Sequence, residues 1–302
     1  MKAIETTGWT DYELIDTGNF EKLERFGSIT VARPEPQAVW SKSLSQAEWD
    51  SRADAYFVRN KDGKQNHSMG DGERGEWRIK PKTKEQWFIQ YKSQQLNLNF
   101  RLGLTSFKHV GLFPEQANNW EYIYRSIQQI KNQQNNPKVL NLFAYTGGAS
   151  LAAKAAGADT THVDSVKQVV SWARENMEAS HLDNIRWIVD DALKFAQREV
   201  RRGNTYNGII LDPPAYGRGP QGEKWILEES INEIITLCKQ LLLPKNSFLV
   251  LNLYSMGLSA LVGESLVKSI FGDIQDIEVG ESYITDSFNK KLPLGVFIRF
   301  RL

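Results

Sequence analysis

From residue 138 onward, apolar and polar positions alternate between two periods. Short runs at 138–143, 159–164, 185–190, 206–212 and 247–254, rich in aliphatic or β-branched residues, predict strands. Between them, 147–157, 165–181, 192–202 and 226–243 carry apolar residues at helical spacing; in the last of these Ile231, Ile234, Ile235, Cys238, Leu241 and Leu242 form one stripe. Strands separated by helical stretches of this length imply βαβ units and a parallel sheet. The pattern then changes: 277–284 and 295–301 are strand-like runs joined by "TDSFNKKLPL" with no helix between, which predicts an antiparallel hairpin at one edge of the sheet. Residues 1 to 115 read differently. "SITVARP", "AYFVRN", "GEWRIKP", "EQWFIQYK" and "LNLNFRLGL" are short alternating or aromatic runs broken by Gly, Pro, Asn and Lys. They predict a small β-rich N-terminal domain, followed over 116–302 by an α/β domain that "KNQQNNPK" leads into as a last loop.

The first predicted strand runs into "LFAYTGGASL", a glycine turn opening a small-residue helix. A phosphate loop needs Lys followed by Ser or Thr after its last glycine; here Gly148 is followed by Ala149 and Ser150. A dinucleotide turn spaces its glycines to admit a pyrophosphate; here they are adjacent, with Phe143 and Tyr145 where small residues belong. The turn therefore suits a ligand without a pyrophosphate. Asp164 closes the second strand, where a carboxylate can accept both hydroxyls of a ribose. Asp191, after the third, sits where an acid can take a hydrogen bond from an adenine amino group. "ILDPPAYG" ends the fourth strand, and such strand ends are where open α/β sheets hold substrate chemistry. There an acid and a backbone carbonyl can accept from an amino group while an aromatic stacks on its ring.

Taken together, "HVGLFPEQ", "NLFAYTGGASL", "HVD", "VDDAL" and "LDPPAYG" resemble class I S-adenosylmethionine-dependent methyltransferases, within them the RlmI-like group of large-subunit ribosomal RNA methyltransferases. The resemblance covers residues 107–302 and implies a Rossmann-like sheet with an antiparallel C-terminal hairpin. It implies S-adenosyl-L-methionine as cofactor, held by Phe113, Glu115, Gln116, Phe143, Tyr145, Gly147, Asp164, Asp191 and Asp212. Asp212, Pro213, Pro214 and Tyr216 are the expected catalytic residues, and a nitrogen of a ribosomal RNA base the expected acceptor. A protein or small-molecule acceptor, or a non-catalytic RNA-binding role, are the other readings. Two departures stand out. Ala144 replaces the first glycine of the usual turn, and the N-terminal half lacks the look of the PUA module that many such enzymes carry.

Composition narrows the class further. No apolar run approaches the ~20 residues of a membrane helix, the N-terminus has no apolar signal region, and the single cysteine, Cys238, excludes an internal disulfide. A cytoplasmic location is expected. His67, His109, His162 and His181 are scattered without ligand spacing, so no metal is expected. Net charge is +1, but residues 59–108 hold eleven Lys and Arg against five Asp and Glu, interleaved with Trp77, Trp87, Phe88 and Tyr91. That stretch fits either an RNA-binding surface or a solvated face over a small aromatic core. Arg201, Arg202, Arg218 and Lys224 are expected to extend a basic rim at the site. Cys238 lies on the core-facing stripe and is expected to pack, not react.

Overall fold

A computed structural model describes residues 1–59, 74–254 and 258–302. The chain forms two compact units: Glu5–Pro114 with Tyr283–Pro293, and Met1–Ile4 with Glu115–Ser282 and Leu294–Leu302.

Strand β1 (Lys2–Glu5) opens the chain and belongs, but for its last residue, to the second unit. In the N-terminal unit, β2 (Tyr12–Gly18), β3 (Glu21–Phe26), β4 (Ile29–Pro34), β5 (Ala55–Arg59) and β6 (Gly75–Ile79) form one sheet in that order. Helix α1 (Gln46–Arg52) precedes β5; its Ser45–Glu48 capping box satisfies the first turn, and Trp49 packs fully buried into the unit. β7 (Gln86–Lys92) and β8 (Asn97–Gly103) pair as a separate hairpin.

β2 and β3 escape the apolar alternation because their buried positions hold charge. Glu24 is inaccessible and receives Arg33 Nε at 2.6 Å and the Tyr12 hydroxyl at 2.9 Å. Burial opposes its charge, but Arg33 and Lys22 outweigh that and hold its carboxyl down to about 2. Asp16 is equally buried. It accepts from the Leu44 and Ser43 N–H groups, the Trp49 indole N–H, and Lys290 Nζ at 2.7 Å. Lys290 comes from the tip of the C-terminal hairpin, and Asp286 of the same tip accepts from Thr17 Oγ1 at 2.7 Å.

The second unit begins with a 3₁₀ turn (Pro114–Gln116) and α2 (Ala117–Lys131), whose Trp120, Ile123, Ile127 and Ile130 are buried at helical spacing. There follow β9 (Lys138–Leu142), α3 (Gly148–Ala155), β10 (Asp159–Asp164), α4 (Lys167–Ala179), β11 (Arg186–Val189), α5 (Ala192–Arg201) and β12 (Gly208–Leu211). A short hairpin of β13 (Tyr216–Arg218) and β14 (Lys224–Ile226) precedes α6 (Leu227–Leu241), β15 (Phe248–Leu253), α7 (Ala260–Phe271), β16 (Ile277–Thr285) and β17 (Lys291–Arg301). The strands make one sheet in the order β1-β16-β17-β15-β12-β9-β10-β11. Pairing is parallel from β15 through β12, β9 and β10 to β11, while β17 runs antiparallel to β15. The hairpin is not the edge, as its sequence pattern suggests, because β1 lies outside it.

Parallel strands covered on both faces must be apolar throughout. β12 and β15 are buried at every position. Gly208 begins β12 because its register partner is Phe248, whose ring lies 2.3 Å from where a Cβ would stand. No helix among the described residues is long and apolar enough to cross a membrane.

Candidate active site

The parallel strands deliver their carboxyl ends to one edge of the sheet, where Leu142 is level with both Val163 and Leu211. Strand order reverses between β9 and β12, the place where such sheets open a crevice. The residues that follow there are Phe143, Asp164, Asp190, Asp191 and Asp212.

The β9–α3 turn is held in an unusual conformation. Phe143, Tyr145 and Gly147 all have positive φ, at 55°, 48° and 92°. Only glycine adopts this region freely, and each bulky residue there costs about 1–2 kcal/mol. Hydrogen bonds enforce it: Ala144 N–H donates to Val163 O at 3.1 Å, Gly147 N–H to Ala144 O at 3.0 Å, and Asn176 Nδ2 to Thr146 O at 2.9 Å. The Ala144 side chain is buried, and the turn tolerates its methyl. At Gly148 it would not tolerate one, because a Cβ would stand 2.6 Å from the Trp120 ring of α2. Beneath the turn, Asn141 Nδ2 donates to Ser150 Oγ, which lies 3.0 Å from His162 Nδ1. Burial drives His162 down to about 3, so it stays neutral and props the turn.

Asp164 ties this turn to the next helix. Its Oδ2 accepts from Tyr145 N–H at 2.8 Å and its Oδ1 from Val166 N–H at 2.9 Å. Burial raises its carboxyl above the ordinary range, partly offset by those N–H groups and that of Ser165. Three backbone N–H groups thus hold the carboxylate at the strand end. Of the two neighbouring acids, Asp191 is the cap and not Asp190. Asp191 caps α5 by accepting from Lys194 N–H at 2.9 Å, while Asp190 pairs with Arg198.

Asp212 is held from the neighbouring strand: Asn252 of β15 donates Nδ2 to its Oδ1 at 2.7 Å. Asn252 is 3 % exposed, and its own Oδ1 has no partner among the described residues. Burial pushes Asp212 up to about 6, against the lowering effect of that bond. Downstream, Pro213 is buried and Pro214 exposed, and the Pro214 carbonyl accepts from the Trp225 indole N–H at 2.7 Å. Trp225 also packs its ring on Phe143, centroids 4.6 Å apart, so the β13–β14 hairpin carrying half-buried Tyr216 is fastened to the cofactor-type turn. Asn252 and Trp225 are absent from the sequence reading. Asn252 sits in an otherwise apolar strand, "FLVLNL", the same signal of a buried amide that Asn141 gives in "KVLNL".

Other expected residues fall elsewhere. Glu115 is buried in the 3₁₀ turn, and Gln116 begins α2, accepting from Asn119 Nδ2 at 2.9 Å. Phe113 belongs to the N-terminal unit, its ring on His109 with centroids 5.0 Å apart. Arg218 and Lys224 face each other across the β13–β14 hairpin, both exposed. Arg201 and Arg202 do not join that rim. They end α5, which starts at the strand ends and runs away from them for ten residues, roughly 15 Å, and Arg202 pairs there with Glu199. Cys238 is fully buried in the core, and burial pushes its thiol far above the ordinary range. In the basic stretch, Trp87 and Tyr91 are core residues while Phe88 is exposed. Lys61, Asp62, Lys64, His67, Asp71 and Glu73 lie outside the described residues. Among the described residues no group of three or more His, Cys, Asp or Glu could hold a metal ion.

Residues 61–270 match the family model described as S-adenosylmethionine-dependent methyltransferase. Along its whole length the chain is similar to the SAM-dependent methyltransferase of Agrobacterium tumefaciens, with 37% identity and a TM-score of 0.87 over 100% of this chain and 93% of that one. It is also similar to ribosomal RNA large subunit methyltransferases K/L. That of Magnetococcus marinus is 36% identical over 123 residues, which are 39% of this chain and 16% of the relative. That of Pseudoalteromonas translucida is 26% identical over 185 residues, 58% of this chain and 25% of the relative. The chain thus spans a quarter or less of the length of these two curated relatives.

Proposed function

Because this chain belongs to the S-adenosylmethionine-dependent methyltransferase family, we propose that it methylates a nitrogen of an RNA base, with ribosomal RNA as the substrate. The names of the curated relatives support RNA as the substrate class, and such a substrate implies a cytoplasmic place of action. The observation that carries the nitrogen is the buried Asp212 carboxylate, held by Asn252 at a strand end and followed by Pro-Pro-Ala-Tyr.

The residues present fit the cofactor by their chemistry. Asp164 places a carboxylate at the strand end where a ribose diol would donate, and Asp191, buried with one oxygen on Lys194 N–H, keeps the other for an adenine amino group. Phe143, Tyr145 and Gly147 form its turn, with Glu115 and Gln116 of the same unit assigned to the methionine end and Asp212 bordering the pocket. When bound, S-adenosyl-L-methionine supplies an electrophilic methyl group on sulfur.

Acceptor chemistry falls to the chain. The Pro214 carbonyl is taken by Trp225, so Asp212 and the Pro213 carbonyl are the acceptors the motif offers to an amino group. Two such bonds fix the nitrogen and orient its lone pair, and Tyr216 offers a ring face to the base. An amino nitrogen that gains a methyl group must lose a proton, and Asp212, pushed up to about 6, can take it near neutral pH.

A carbon-5 acceptor would need a cysteine thiolate to add to the ring first. Cys238 is buried in the core with its thiol held protonated. Cys238→Ser is therefore expected to leave turnover within a few-fold of the parent while lowering thermal stability, since it places a hydroxyl in an apolar site. The decisive experiment is label transfer from methyl-labelled cofactor to RNA of a strain lacking this protein, followed by nucleoside mass spectrometry. An N-methylated base is the expected product. 5-Methylcytosine, or label only in protein, would overturn the reading.

A further inference from the structure

The N-terminal unit contains a cleft of about 770 Å³ lined entirely by its own residues, among them Phe20, Asp50, Tyr56, Arg59 and Arg78. Phe20 sits at the β2–β3 turn and is 58% exposed. Its φ is +63°, a region where a bulky side chain is strained and where Asn or Gly would sit more easily. The backbone is locked there, with Phe20 N–H donating to Ala38 O and Glu35 N–H donating to Phe20 O, each at 2.8 Å. The ring is therefore held out against both torsional preference and burial.

Its surroundings supply polar groups of one kind. Arg78 lies opposite Tyr56 in the β5–β6 register, and Arg59 opposite Gly75. Both arginines are exposed, and neither forms an ion pair among the described residues. Of the acids lining the cleft, Glu21 is matched by Lys42 at 2.6 Å. Asp50 uses one oxygen to accept from the Tyr56 hydroxyl and Gln46 Nε2, each at 2.8 Å. An exposed ring beside guanidinium groups that form no ion pair among the described residues suits a stacked base with flanking phosphates. The Asp50 carboxylate would repel an acidic peptide but accept from a base amino group.

We infer that this cleft binds single-stranded RNA, with a base stacked on Phe20 and phosphates on Arg59 and Arg78. This rests on the RNA reading above and adds a second contact region to it. The test is fluorescence anisotropy with a labelled single-stranded RNA of about ten nucleotides, alongside calorimetry with S-adenosylhomocysteine on the same full-length preparations. Phe20→Asn keeps the left-handed backbone and removes the ring; it should weaken RNA binding about tenfold, and Phe20→Tyr should restore it. Arg78→Gln should lower the slope of log affinity against log salt by about 0.7. S-adenosylhomocysteine affinity should be unchanged in all three. If the parent protein binds the RNA and the variants match it in affinity and slope, the cleft assignment fails while the RNA reading stands. If the parent binds no RNA at low salt, the RNA reading itself fails. Equal binding of polyglutamate, lost in the same variants, would overturn the assignment in favour of an acidic protein partner.

Discussion

Asp212→Ala is expected to lower turnover by about 10²- to 10⁴-fold, the range for loss of a positioned base that also orients its partner. Asp212→Asn separates catalysis from structure. An asparagine can still accept from Asn252, so the strand-end geometry persists, but the charge and the proton acceptor are gone. The sign of the linked stability follows from the raised carboxyl. A group bound to its proton more tightly in the folded state contributes stability below its ordinary value of 3.8, and that contribution is lost as pH climbs through about 6. At pH 7 the parent therefore carries a buried, poorly solvated carboxylate that the asparagine variant lacks. Asp212→Asn should be more stable by about 3 kcal/mol at pH 7, with the advantage vanishing near pH 4, while turnover collapses. Denaturant unfolding at the two pH values and a pH profile of kcat check both halves. The parent rate should fall on the acid side through about pH 6, and the residual rate of the variant should lack that limb. Unchanged turnover in either variant would reduce Asp212 to a strand-end partner of Asn252.

The second large effect concerns Asp164. Asp164→Ala removes acceptors assigned to the ribose, worth on the order of 2–3 kcal/mol as charge-assisted bonds. It also releases Tyr145 N–H and Val166 N–H, which this carboxylate holds at 2.8 and 2.9 Å. With Phe143 and Tyr145 strained at positive φ, the freed turn will relax away from its present shape. Affinity for S-adenosylhomocysteine should therefore drop more than a hundredfold by calorimetry, roughly 3 kcal/mol. The two contributions separate in a cycle with a 2′-deoxy analogue of that ligand. The parent should discriminate against the analogue and Asp164→Ala should not. If both proteins discriminate equally, Asp164 supports the turn without touching the ribose.

How much of this was legible in the sequence depended on where charge was buried. β12 and β15 declare themselves, since parallel strands covered on both faces leave almost only apolar residues to read. Asp212 stands out for the same reason, since it ends a run that is otherwise apolar. β2 and β3 were illegible because Asp16, Thr17, Lys22 and Glu24 are inside: Asp16 and Thr17 are compensated from the distant Lys290 and Asp286, and Lys22 and Glu24 by each other and by Glu35 and Arg33. No local pattern can announce an ion pair made with residue 290. α7 was hidden differently. Gly263 interrupts its helical stretch, and the space it leaves is filled by Ile298 of β17. Asn252 was passed over because its partner Asp212 lies 40 residues away, although an amide amid β15's aliphatic residues was a visible anomaly. Which of the adjacent acids Asp190 and Asp191 caps α5 is not legible in the sequence, because only the backbone at the helix start decides it.

The exchange of chain ends between the two units bears on how the protein is made. A ribosome releases Asp16 long before Lys290, its cation, which lies 274 residues further on. Until then the N-terminal unit has a carboxylate cage without its ammonium, and β1 waits for β16 as its neighbour in the large sheet. Neither unit can finish during synthesis ahead of the other, however early its own strands emerge. A nascent chain stalled before residue 283 should be protease-sensitive throughout its N-terminal half, and about twenty further residues past the exit tunnel should protect both halves together.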